Sequence, residues 1–120
     1  MARILVVEDN PDNMKLIRAL LSRRRHVLAE RMSGGDLGDV LAEFAPELVL
    51  MDIQLPGKDG FALLDEIRRS PVPRTKVVAL TAQASRAEEQ RAADAGFDGY
   101  LTKPINVHTF SDEIARILEG

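Results

Sequence analysis

The chain has 120 residues, of which 45% are hydrophobic and 29% charged, and its formal net charge is −3. That balance fits a single globular domain, 1–120, built on one core. It excludes the basic field that nucleic acid or anionic lipid would demand. The absence of cysteine excludes disulfides, thiolate metal sites and a thiol nucleophile.

Met1 to Asp9 meets two acids, Glu8 and Asp9, too early for a secretory signal. No run approaches the roughly 18 apolar residues of a membrane span, so a cytoplasmic protein is expected. Ile4-Leu5-Val6-Val7 is a short, β-branched apolar run and predicts a buried strand. Asn10-Pro11 opens a helix, asparagine suiting the N-cap and proline the first helical position. Met14, Ile17 and Leu21, with Leu16 and Leu20 beside them, form its apolar stripe. Arg23-Arg24-Arg25 ends it with charges suited to a helix carboxyl terminus.

His26 to Met32 predicts a second strand near a sheet edge, and Ser33-Gly34-Gly35 a turn. Leu37, Val40, Leu41 and Phe44 follow the i, i+3, i+4, i+7 pattern of a one-sided helix, which Pro46 stops. Leu48-Val49-Leu50-Met51 then drives into a single carboxylate, Asp52, with a turn expected at Pro56-Gly57. An apolar run of this kind reads as a strand buried on both faces. Asp59-Gly60 starts a third helix with Leu63, Leu64 and Ile67 inward, and the prolines of Ser70-Pro71-Val72-Pro73 make a loop. Val77 to Leu80 is a fourth strand and delivers Thr81-Ala82.

Ala84 to Ala95 is rich in good helix formers but poor in bulky apolar groups, which predicts a loosely anchored helix ending at Gly96. Gly99-Tyr100-Leu101 is the last strand, before Thr102-Lys103-Pro104. Asn106 is placed to cap a final helix carrying Val107, Phe110, Ile114, Ile117 and Leu118. The chain stops just after that pattern, so no effector module is expected. His26 and His108 fall at element edges, where exposure is the ordinary outcome.

Strands alternating with helices imply an α/β fold, (βα)5, with a parallel sheet between two helical layers. Right-handed crossovers favour the flavodoxin-like order 2-1-3-4-5, whose switch point lies between strands 1 and 3. That order brings Glu8, Asp9 and Asp52 to one crevice, with Thr81 and Lys103 on its far wall. Each part alone is ambiguous: an acid after a strand is usually a helix cap or a loop residue, and Thr81 alone would serve as a cap. Together they describe a chemistry. Crowded carboxylates repel by about 1 kcal/mol per pair at 4 Å even in water, so a proton or a cation must sit among them. Oxygen ligands suit Mg²⁺, with Mn²⁺ the alternative. An ammonium and a hydroxyl opposite leave a phosphate-shaped space, and an aspartate facing it can form an acyl phosphate.

Val7-Glu8-Asp9-Asn10, Leu50 to Pro56, Asp59-Gly60, Ala79-Leu80-Thr81-Ala82 and Tyr100 to Pro104 together resemble the receiver domain of two-component response regulators, a CheY-like fold, along the whole chain. With Asn13-Met14-Lys15-Leu16 and Ile53-Gln54-Leu55-Pro56, the nearest subgroup is the stand-alone DivK-like receivers or those of hybrid histidine kinases. The resemblance implies that Asp52 is the phosphoacceptor. Asp9 and Asp52 would hold Mg²⁺ directly, Glu8 through water and Gln54 through its backbone carbonyl. Thr81 and the backbone N–H of Ala82 would hold the phosphoryl group, and Lys103 would pair with it across a cis Lys103–Pro104 bond. Thr81 and Tyr100 would be the switch residues. The implied function is a phosphorylation-activated signalling switch or phosphorelay step that catalyses only its own phosphorylation and dephosphorylation. Its implied partners are a histidine kinase or histidine phosphotransferase and a downstream protein. Gln54 and Gln83 flank the site at positions that would influence dephosphorylation.

Two other readings use the same residues. A Mg²⁺-dependent phosphatase of the haloacid-dehalogenase type would carry a second aspartate two residues after the nucleophile, where Gln54 cannot transfer protons. A flavodoxin-like cofactor binder would carry a glycine-rich phosphate loop after the first strand, where two acids stand instead.

Overall fold

Five segments, the inner three of them apolar runs, become the strands of one parallel sheet in order β2-β1-β3-β4-β5. The strands are β1 (Arg3–Val7), β2 (Val27–Arg31), β3 (Leu48–Asp52), β4 (Lys76–Thr81) and β5 (Gly99–Thr102). Between and after them come α1 (Pro11–Ser22), α2 (Leu37–Phe44), α3 (Gly60–Arg68), α4 (Arg86–Ala95) and α5 (Phe110–Glu119). The computed structural model describes residues 1–120 apart from Pro56 to Lys58 and Ala84. The turn expected at Pro56-Gly57 and the helix start expected at Ala84 lie outside the described residues.

The sheet separates two apolar layers because successive side chains of a strand point to opposite faces. Ile4, Val6, Leu48, Leu50, Val78 and Leu80 face α1 and α5, and pack with Met14, Ile17, Leu21, Phe110 and Ile114. Leu5, Val7, Val49, Met51, Val77 and Ala79 face the other way, toward α2, α3 and α4. Central β3 is buried along its whole length, whereas β2, at the edge, is only partly covered. This matches the near-continuous apolar run expected of an inner parallel strand.

Local signals set the helix ends. Asn10 caps α1 through its side chain, which accepts from the Asn13 N–H, and Pro11 opens the first turn. Asp59 does the same for α3, accepting from the Phe61 N–H. Gly60 has no room for a side chain: a Cβ there would stand 2.6 Å from the Ile53 Cα. Ser85 caps α4 and Gly96, at φ 107°, ends it. The last helix departs from expectation. Asn106 accepts from the His108 N–H and, through its carbonyl, from Thr109 and Phe110. It therefore organises a turn ahead of α5, which begins only at Phe110 and leaves Val107 exposed.

Candidate phosphoryl and metal site

Glu8, Asp9 and Asp52 each place a carboxylate oxygen within 4.8 Å of the others, at the carboxyl ends of β1 and β3. Side-chain alternation explains which way they point. Glu8 continues the Ile4–Val6 side of β1, and Asp52 the Leu48–Leu50 side of β3, the face covered by α1 and α5. Both are buried with the apolar residues that precede them, Glu8 completely. Thr81 continues the opposite side, that of Val77 and Ala79, and is also fully buried.

Buried carboxylates need donors. Lys103 supplies them, its Nζ lying 2.8 Å from Asp52 Oδ2 and 2.9 and 3.3 Å from the two oxygens of Glu8. The backbone positions this lysine: its N–H donates to the Thr81 carbonyl at 2.7 Å, one residue past the end of β5. The Lys103–Pro104 bond is cis, as the resemblance implies. The Gln54 N–H donates to Asp52 Oδ1 at 2.8 Å, and the Asn13 amide donates to Glu8 Oε1 at 3.0 Å.

These contacts split the two buried acids. Burial pushes the Glu8 carboxyl up, and the nearby Asp52 charge adds to this, so that Lys103 and Asn13 only partly offset it. Burial acts upward on Asp52 as well. There the Lys103 ammonium and the Gln54 N–H together prevail and hold the carboxyl below its ordinary range. Lys103 loses hydration in the crevice, yet its two carboxylate partners raise it above the ordinary lysine value. At neutral pH the site is thus an ionised Asp52 beside a charged lysine. The donor set is all oxygen, anionic and crowded, which fits a hard divalent cation such as Mg²⁺.

On the other face, the Thr81 hydroxyl accepts from the Gln83 N–H at 3.1 Å instead of capping α4. Ala82 follows it at the surface. Tyr100, half-buried against the α4 layer, donates its hydroxyl to the Gln83 carbonyl. Burial, with Glu88 and Glu89 nearby, raises its phenol above the usual value. Gln54 is exposed beside Asp52. The structure therefore brings Glu8, Asp52 and Lys103 into contact, with the Asp9 carboxylate within 4.8 Å of the other two acids, and sets Thr81 and Tyr100 on the opposite side of the sheet. Sequence reasoning assigned no role to Asn13. Its signal is its place in the first turn of a helix that begins three residues after Glu8.

A family model described as the response regulator receiver domain matches residues 4–115. The polar-differentiation response regulator DivK of Brucella anthropi is 36% identical, over 96% of this chain and 94% of its own length. The fold is similar to a LuxR-family two-component response regulator from an Aurantimonas species, with TM-score 0.90 and 30% identity over 100% of this chain and 86% of that one. It is also similar to a structure described as the BeF3-activated DrrB receiver domain, with TM-score 0.86 and 28% identity over 100% and 99% of the two chains.

Proposed function

The chain belongs to the response regulator receiver domain family, and we propose that Asp52 is the residue phosphorylated when it acts as a signalling switch. The observation that carries this is the contact group itself: Asp52 within 2.8 Å of Lys103 and within 4.8 Å of two further carboxylates. An ionised carboxylate at a strand end is a competent nucleophile. Its oxygen attacks phosphorus on a partner's phosphohistidine, and the O–P bond forms as the N–P bond breaks. Asp9 and Asp52 would hold Mg²⁺, or Mn²⁺, directly, with Glu8 acting through water and Gln54 through its carbonyl. When bound, the cation neutralises charge on both the carboxylates and the phosphoryl oxygens.

Lys103 is already poised between Glu8 and Asp52, and its ammonium turns to the phosphoryl oxygens as they arrive. The Thr81 hydroxyl leaves Gln83 and donates to the same group, beside the Ala82 N–H. Tyr100 rests on that same Gln83 carbonyl, so the two side chains are coupled through one short segment. α4 buries only Ala92 and is free to respond. A shift from 1:99 to 99:1 needs about 5.5 kcal/mol of differential stabilisation. The resulting surface would be read by a downstream protein, and the donor would be a histidine kinase or phosphotransferase in the cytoplasm. No helix among the described residues is long and apolar enough to cross a membrane.

The protein is a signalling receiver and not a classical enzyme; catalysis of its own phosphorylation is part of the proposal. BeF3 has the shape and charge of a phosphoryl group, so the activated DrrB receiver supports the same reading. Incubation with acetyl phosphate and Mg²⁺ should add one phosphoryl group to the intact mass, and Asp52→Asn should take up none. Equal labelling of that variant would overturn the proposal.

A further inference from the structure

Glu8 is the most deeply buried charged group in the site, and only two side chains among the described residues donate to it, Lys103 and Asn13. Lys103 is shared with Asp52. In the switch reading it must follow the phosphoryl group, which takes it from Glu8. Asn13 is then the donor that remains. It is well placed to stay: it sits in the first turn of α1, its own N–H is tied to Asn10 Oδ1 at 3.0 Å, and α1 is anchored by four buried side chains.

Asn13 bonds only Oε1, at 3.0 Å, and Oε2 has no donor among the described residues but Lys103. An amide also donates without charge, so it steadies a carboxylate without competing with a cation for it. A lysine or arginine at the same place would neutralise the site. Glutamate, moreover, has one more rotatable bond than aspartate, so its carboxylate needs a fixed partner if it is to present one oxygen consistently.

We propose that Asn13 is a positioning residue for the cation site, its amide holding Glu8 Oε1 so that Oε2 is the oxygen presented to the cation. This rests on the reading of Glu8, Asp9 and Asp52 as a Mg²⁺ site. The alternative is a packing tie between β1 and α1, which would affect stability alone.

Calorimetric titration of the unphosphorylated full chain with Mg²⁺ separates these. Asn13→Ala should weaken binding about fivefold, below the roughly tenfold or more of removing a direct ligand's hydrogen-bond partner because Glu8 reaches the cation through water. In a Glu8→Asp background the shorter side chain is out of Asn13's reach, and the same substitution should change affinity by less than about twofold. Asn13→Ala binding as tightly as the parent, or losing the same factor in both backgrounds, would overturn the proposal and leave the site reading standing. Failure of the parent chain to bind Mg²⁺ would overturn both. A melting curve of each variant, recorded without Mg²⁺, shows that the fold survives and isolates the affinity change from stability.

Discussion

The two faces of the sheet carry different halves of the candidate site, under helices that are anchored with different strength. On one face α1 buries Met14, Ile17, Leu20 and Leu21, and beneath its first turn lie Glu8, Asp52 and Lys103 in mutual contact. On the other, α4 buries only Ala92, and beside it lie Thr81 and Tyr100, both bonded to Gln83. What fastens α4 is lateral: the Arg91 guanidinium 4.0 Å over the Phe61 ring, which meets Phe97 edge-on at 5.5 Å. The buried charged side chains stand under a well-packed helix, and the Thr81 and Tyr100 hydroxyls stand beside a lightly packed one.

The largest effect expected on either face is the complete loss of labelling in Asp52→Asn. Next comes Ile17→Ala, a fully buried truncation under α1, at about 3 to 4 kcal/mol in urea unfolding. No side chain that α4 buries could lose as much, since Ala92 has only a methyl group to lose. Lys103→Met should cost about 2 kcal/mol without metal, below the usual figure for breaking a buried pair because the lysine is 18% exposed. Millimolar Mg²⁺ should restore much of that loss, because a cation can replace the ammonium between the acids. A variant as stable as the parent with and without Mg²⁺ would show that the charged face is not held by charge.

Arg91→Ala should cost under about 1 kcal/mol, yet speed amide hydrogen exchange in α4 and leave α1 unchanged. Equal acceleration in both helices would erase the distinction between the faces. The smallest effect belongs to His26, beside β2 and outside both halves of the site. Burial, then the terminal ammonium and Arg24, lower its ring below 6.5, and its Nδ1 accepts from the Ala2 N–H. The stability it contributes is therefore present above pH 6.5 and is lost as pH falls through the lower folded value. Solvent screening of the partly exposed ring keeps this under about 1 kcal/mol. His26→Gln should flatten the pH dependence of the melting temperature in that window, while Mg²⁺ binding at neutral pH stays as it was.

Much of this was legible from local pattern. Asn10-Pro11, Asp59-Gly60, Pro46 and Gly96 mark helix ends by steric and capping rules that act within a few residues. The weak anchoring of α4 followed from its lack of bulky apolar side chains. The Asn106 expectation missed because a capping side chain serves a short turn as readily as a helix, and only the packing of Phe110 decides where α5 begins. The role of Asn13 is invisible in the sequence, since its partner is a strand-end carboxylate and not a neighbour on its own helix.

By itself the order of residues determined the five strands, the helices between them and the kinds of group standing at each strand end, because burial period and turn chemistry are properties of short segments. Only tertiary structure decided that Lys103 would lie between Glu8 and Asp52, at separations of 95 and 51 residues, and that Thr81 would take the opposite face. Such contacts depend on sheet register and on side-chain parity at the strand ends. Both are set when the whole sheet assembles, and no single segment carries them.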